Sequence, residues 1–194
     1  ELALERIALG EVETRWSGAL YGGGFRLEDR EGLIREVRAL RTRASPEALF
    51  RSFASLGGER GWLVWNWAWA LRGFLDRLLG GPGLRRGRRH PTELLPGEAV
   101  DFWRVEAVEP PRLLRLRAEM RLPGRAWLEW EAREAEGGSL LVQTAYFEPK
   151  GLTGFLYWWA LYPIHRRIFS DLARAIVREA EAQAEAPPRG GGAG

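Results

Sequence analysis

Cysteine is absent from this 194-residue chain, methionine occurs once at Met120, lysine once at Lys150, and histidine twice, at His90 and His165. Without cysteine there are no disulfides, no thiolate nucleophile and no Cys-ligated zinc or iron–sulfur centre. The same absence fits a reducing, cytoplasmic setting. Two histidines with no neighbouring paired carboxylates argue against a two-His metal site. The longest uncharged runs, Gly61 to Leu71 and Gly151 to Ile164, fall short of the about 20 apolar residues of a membrane-spanning helix. Glu1 to Trp16 is charged and mixed, unlike a secretory signal. Also missing are a Gly-x-Ser-x-Gly elbow, a His-Glu-x-x-His pair, a phosphate loop and a Gly-x-Gly-x-x-Gly dinucleotide fingerprint after a strand. No cofactor is therefore expected within this chain. With Met120 as its only methionine, the chain lacks an initiator and reads as processed or as a piece of something longer.

Tryptophan, in contrast, is abundant: ten residues, in a chain whose apolar fraction of 45% is that of an ordinary globular domain. Each indole offers a large buried area with one N–H to satisfy. The cations are arginine except for Lys150, and the net charge of +3 is small and dispersed, which argues against a nucleic-acid partner.

The pattern along the chain gives the organisation. Residues 1–24 read as a linker or N-terminal arm, 25–183 as one domain and 184–194 as a flexible tail. Leu33 to Thr42 alternates as a first strand. Ser45-Pro46-Glu47 starts a helix, with Ser45 as N-cap and Pro46 in the first turn, ending at Gly57-Gly58. Gly61 to Leu79 is helical in its second half, and Leu84 to Pro91 reads as an Arg-rich strand or hairpin. Four strands follow: Ala99 to Val108, Arg112 to Leu122, Arg125 to Ala135 and Ser139 to Glu148, separated by Pro- and Gly-containing turns. In the second, Leu114, Leu116, Ala118, Met120 and Leu122 share one face. A long helix runs from Gly151 to about Gln183, with Leu161, Ile164, Ile168, Leu172 and Ile176 as its stripe. Pro163 is expected to kink or restart it. A curled antiparallel meander crossed by one helix encloses a core or a small-molecule cavity.

Several groups carry chemistry. Arg85, Arg86, Arg88 and Arg89, followed by His90, form an anion fork or, more simply, a charged edge strand. Trp65, Trp67, Trp69, Trp103, Trp127, Trp130, Tyr146, Tyr157, Trp158, Trp159 and Tyr162 line a pocket for a flat or apolar ligand, or form ordinary core plus a hydrophobic face that meets a missing domain. Asp101, Glu119, Glu129 and Glu131 lie on strands. An inward carboxylate becomes an acid or base, whereas Glu129 and Glu131 read as ion-paired on the outer face. His165 serves as a proton shuttle or as an ordinary boundary residue. Gly151 to Tyr162 suits a membrane interface by its aromatics, but basic residues do not flank the run on both sides, so a helix half buried under the sheet and half against another domain is the simpler reading.

The order of elements resembles the α+β helix-grip fold of the START-like (SRPBCC) superfamily, in which a curved antiparallel sheet wraps round a long C-terminal helix. The segments Gly83-Leu84-Arg85-Arg86-Gly87-Arg88-Arg89, Asp101-Phe102-Trp103-Arg104-Val105-Glu106, Leu113-Leu114-Arg115-Leu116-Arg117-Ala118-Glu119-Met120 and Gly154-Phe155-Leu156-Tyr157-Trp158-Trp159-Ala160-Leu161-Tyr162-Pro163 resemble an uncharacterised bacterial domain. That domain is found C-terminal to SDR-like NAD(P)-binding domains, and the resemblance spans about Gly10 to Glu181. It implies a small-molecule binding or substrate-cap role. The partners implied are a small apolar ligand and an N-terminal Rossmann-like domain of the same polypeptide. NAD(P) would sit on that domain, and a homodimer is compatible. The residues expected at the ligand are Trp69, Asp101, Trp103, Arg104, Trp130, Tyr146, Trp158, Trp159 and His165. Trp103, Tyr146 and Trp159 would form walls, and Asp101 or Arg104 would orient a polar end. A cyclase- or isomerase-like enzyme using a buried carboxylate or His165, and a structural or dimerisation domain, stay open as alternatives. An enclosed cavity with a convergent carboxylate or His would favour the enzyme, a cavity with only aromatic walls would favour binding, and a fully packed interior with no gap between sheet and helix would defeat both and leave the structural role.

Overall fold

Seven antiparallel strands form one sheet in the order β1-β2-β7-β6-β5-β4-β3. The strands are β1 (Gly24–Arg30), β2 (Leu33–Thr42), β3 (Ala99–Val100), β4 (Trp103–Glu109), β5 (Leu113–Ala118), β6 (Gly124–Ala135) and β7 (Gly138–Pro149). Between β2 and β3 come helix α1 (Pro46–Ala54), a 3-10 turn and helix α2 (Asn66–Leu78), and after β7 comes helix α3 (Gly151–Glu185). This is a computed structural model, and it describes residues 24–30, 32–78, 80, 81, 83, 88–90 and 93–185. The expected linker and tail lie outside the described residues, apart from Gly24 and residues 184 and 185.

The α+β helix-grip arrangement expected from the sequence is present. Five particulars differ. The expected strand Ala99 to Val108 is broken at Asp101, whose φ is positive, into β3 and β4, which pair with each other antiparallel. A strand, β1, precedes the expected first one; its short, charge-rich sequence Arg26-Leu27-Glu28-Asp29-Arg30 suits an exposed sheet edge but carries little apolar alternation. The second meander strand stops at Ala118, because the chain leaves the sheet to place the Arg121 amide on Asp76 (2.8 Å). Arg88–His90 are not in a strand, and 84–87 and 91 lie outside the described residues. Helix α3 runs unbroken through Pro163. Pro163 sits on the exposed side with Trp159, so the carbonyl that loses its amide donor is on the water side.

Register assigns the faces. Ile34, Glu36, Arg38 and Leu40 pair across to Phe147, Ala145, Gln143 and Leu141, and these to Ala126, Leu128, Trp130 and Ala132. With period two, all lie on the inner face, under α3. Leu172, Ile176 and Ala180 of α3 are fully buried on this face or against α1. Gln143 joins the layers: it accepts from Trp130 Nε1 (2.9 Å) and donates through Nε2 to the Phe169 carbonyl (2.9 Å). The outer face carries Glu129 and Glu131 in ion pairs, as the alternation predicted; Arg115 Nε lies 2.5 Å from Glu129 Oε2. Helix α1 starts as expected, with Ser45 Oγ accepting from the Ala48 amide at 3.3 Å.

Candidate functional site

The loop between α1 and α2 holds an unusual density of left-handed backbone: Gly57, Gly58, Gly61, Leu63 and Trp65 all have positive φ, and so does Asp101 at the end of β3. For a non-glycine residue this conformation costs roughly 1–3 kcal/mol. Gly57 is irreplaceable here, since a Cβ would lie 2.5 Å from Val100 Cγ1. Asp101 holds the loop. Its carboxylate accepts from the Gly58 amide (3.3 Å) and from Trp62 Nε1 (2.7 Å), and it is buried. Trp62 in turn donates its amide to Asn66 Oδ1 (2.9 Å).

The Trp62 ring is the hub of an aromatic cluster. Its centroid lies 5.1 Å from Trp69, 6.2 Å from Phe102, 6.1 Å from Trp103 and 6.5 Å from Trp130. At the rim of this cluster a concavity of about 140 Å³ is lined by Gly58, Gly61, Trp62, Asn66, Trp69 and Asp101, with Glu59 and Arg60 at its mouth. One side is indole; the other is a carboxylate, a side-chain amide and glycine backbone.

A second polar group lies beneath the middle of α3. Glu36 and Arg38 form a buried ion pair on β2. Arg38 also donates to Ser170 Oγ (3.0 Å) and to the Arg166 carbonyl (3.2 Å), so it ties β2 to α3. Burial raises the Glu36 carboxyl above its ordinary range, and Arg38 beside it pulls it back. His165 stacks on Phe169 (5.7 Å) and lies tilted against Trp158 (6.0 Å, 56°). Burial, with the Arg72 guanidinium as a smaller cause, lowers its pKa to about 4, so the imidazole is neutral at pH 7. Its Nδ1, Glu36 Oε2 and Trp158 Nε1 are buried without a hydrogen-bond partner.

The nine residues expected at a ligand therefore divide. Trp69, Asp101, Trp103 and Trp130 gather round Trp62 on the inner side. Trp158 and His165 meet each other further along α3. Arg104 points to the outer face, 2.5 Å from Glu119 Oε1, because one register step from inward Trp103 reverses the side chain. Tyr146 is also outward, donating its hydroxyl to Glu129 Oε1 at 3.2 Å. Trp159 is 56% exposed. The three expected walls, Trp103, Tyr146 and Trp159, thus lie on three different surfaces. Trp130, Leu141, Phe169 and Leu172 belong to one buried cluster between sheet and α3, and the concavity lies at its rim. Trp62, Glu36 and Arg38 were not singled out beforehand. For the pair, the signal was there: a Glu and an Arg two apart, between Ile34 and Leu40 on one face of a strand.

Arg88 accounts for part of the Arg cluster. Its guanidinium donates to the Ala54 and Leu56 carbonyls at 2.8 Å each, which satisfies the C-terminal end of α1. Arg85 and Arg86 lie outside the described residues. Among the described residues no group of three His, Asp or Glu is placed to hold a metal ion, and no helix is long and apolar enough to cross a membrane.

Comparison with known proteins follows this geometry. No curated protein matches the sequence. Among solved structures the chain is similar to the di-domain ARO/CYC StfQ from the steffimycin biosynthetic pathway (13% identity, 79% of this chain and 52% of that one, TM-score 0.48). It is also similar to Ara h 8.0201 (12% identity, 78% and 99%, TM-score 0.46) and to CalU16 from Micromonospora echinospora (14% identity, 84% and 94%, TM-score 0.38). Residues 30–172 match the family described as "Protein of unknown function (DUF2867)", and the chain belongs to that family.

Proposed function

We propose that this chain is a small-molecule binding domain that caps a larger SDR-like NAD(P)-binding protein, and that its ligand enters the concavity between Trp62, Trp69 and Asp101. The observation that carries this reading is the concavity itself: about 140 Å³, walled by indole and floored by a buried carboxylate. An apolar cavity of about 150 Å³ holds one benzene ring, so the ligand class is a single flat ring with a hydrogen-bond-donating end. The ring stacks on Trp62 and Trp69, and the donor end meets Asp101 and Asn66 Oδ1. The strained loop from Gly57 to Trp65 supplies the movement that admits it, since strain concentrates where a loop must switch.

The test is mass spectrometry of small molecules retained by the full-length protein, with Trp fluorescence titration of the 194-residue chain by phenol, aniline and indole. Saturable quenching that Trp69→Ala abolishes and Asp101→Asn weakens is expected. No retained molecule and no saturable signal with any probe would remove the binding reading and leave the packed, structural one.

A second reading, a proton-moving enzyme, rests on His165. A neutral, buried imidazole with an open Nδ1, flanked by Trp158 and Phe169, is equipped to accept a proton. Activity that vanishes in His165→Phe and survives in Asp101→Asn would favour it.

A further inference from the structure

Side chains of α2 and α3 meet in antiparallel order along the two helices. Trp65 Nε1, just before α2, donates to Asp171 Oδ2 at 2.9 Å. Trp69 meets Phe169 at 6.4 Å, and Arg72, a turn further along α2, hydrogen-bonds Tyr157. On α2, Trp67, Leu71, Phe74, Leu75 and Leu78 are all at least 45% exposed, at spacings of four, three, one and three. On the first half of α3, Leu152, Leu156 and Trp159 repeat the pattern at four and three, each at least 56% exposed. Such spacings place each set on one stripe of its helix. A soluble domain seldom leaves two adjacent apolar stripes uncovered.

Within α2 and the part of α3 before Asp171 the exposed charges are cations. The only acid in α2 is Asp76, fully buried and accepting from the Gly83 and Arg121 amides (3.0 and 2.8 Å). No acid occurs in α3 before Asp171. Exposed cations stand where the two helices meet the turn between β5 and β6. Arg77 is in the last turn of α2, and the Arg121 guanidinium carbon lies 3.6 Å from a Cβ built on Gly80, just past α2. Lys150 precedes α3 and donates its amide to the Pro123 carbonyl at 2.9 Å. Gly154 lets the α3 backbone sit directly on Pro123 and Pro149. Cations that the α3 sequence lacks on one side are thus supplied by α2 and by the β5–β6 turn.

We infer that this two-helix face docks on the surface of an anionic phospholipid bilayer, lying in its interface. Tryptophan, phenylalanine and leucine favour the headgroup boundary, and arginine and lysine at its edge meet the lipid phosphates. A second copy of the chain fits worse, because a two-fold contact through this face would bring Arg77, Arg121 and Lys150 towards their own equivalents.

Flotation of the 194-residue chain with phosphatidylcholine vesicles, with and without phosphatidylglycerol, tests this. Partitioning at least tenfold stronger onto the anionic vesicles is expected, with a blue shift of Trp emission and weakening as salt rises. Leu75→Glu/Leu156→Glu, at exposed sites and with unchanged circular dichroism, is expected to reduce it tenfold or more. Arg77→Gln, Arg121→Gln and Lys150→Gln should each reduce it roughly fivefold. Absence of binding to both vesicles by the folded chain overturns the inference. So does unchanged binding in the Leu75→Glu/Leu156→Glu variant, or self-association through the same residues without vesicle binding.

Discussion

The two halves of α3 belong to one continuous helix and differ in what they bury. From Gly151 to Ile164 only Gly154 and Trp158 are buried, whereas from His165 to Glu185 the buried set is Ile168, Phe169, Leu172, Ala173, Ala175, Ile176, Val177 and Ala180. The more hydrophobic-looking half is the one that leaves its large side chains outside. Aromatic content is therefore a poor guide to burial here; the position of the helix over the sheet decides it. The second half crosses the centre of the inner face and α1, where apolar partners exist on both sides. The first half instead meets Phe147, Ile34, Pro123 and Pro149 near the strand ends.

The contrast is sharpest in its energetics. At the junction of the halves, Arg38→Ala leaves Glu36 buried without its counter-ion and is expected to destabilise by about 3–5 kcal/mol in urea unfolding, whereas Glu36→Leu/Arg38→Met together should cost much less. Within the second half, Ile176→Ala removes a fully buried side chain and should cost about 2–5 kcal/mol. A loss below about 1 kcal/mol would mean that this half is loosely packed and the comparison fails.

The boundary residue His165 gives a pH test. Its folded pKa of about 4 lies below the ordinary 6.5, so between these values the unfolded chain binds the extra proton. Its contribution is fully present above about pH 6.5 and is lost as pH falls towards 4, by up to about 3 kcal/mol. Glu36, with its carboxyl raised, acts in the opposite direction, so the informative quantity is the difference from His165→Phe. That variant should lose the His165 contribution to the slope over this window while keeping the ring contacts with Trp158 and Phe169. An unchanged slope would place the imidazole in water. The smallest effect is expected in the first half: Leu156→Ala should shift stability by no more than about 0.5 kcal/mol, and a larger loss would show that this stripe is covered.

Much of this was readable from local signals. The Ser45–Pro46 start of α1, the alternation of β5, and the Gly and Pro breaks of the meander are short-range features, and these elements begin where those features put them. Inward Trp103 and Trp130 and the outward Glu129 and Glu131 follow from the same period of two. The site was less legible. Trp69, Asp101, Trp103 and Trp130 converge, yet Trp62, which gathers them, sits in a loop whose positive-φ backbone at Leu63 and Trp65 no periodicity announces. Arg104 and Tyr146 carry suitable chemistry but face outward, a distinction set by a single step of register. Beta-strand 1 escaped because an edge strand needs little apolar alternation.

The sequence by itself determined the elements, their order and the two-sided character of the strands, because capping, turn geometry and hydrophobic period act within a few residues. Only the tertiary structure decided which aromatic side chains meet. It set Trp62 against Asp101, paired Glu36 with Arg38 beneath α3, capped α1 with Arg88 from a distant loop, and left the apolar stripes of α2 and of the first half of α3 exposed. Those outcomes depend on strand register and helix placement, which are fixed by contacts between residues far apart in the chain, and no local pattern encodes them.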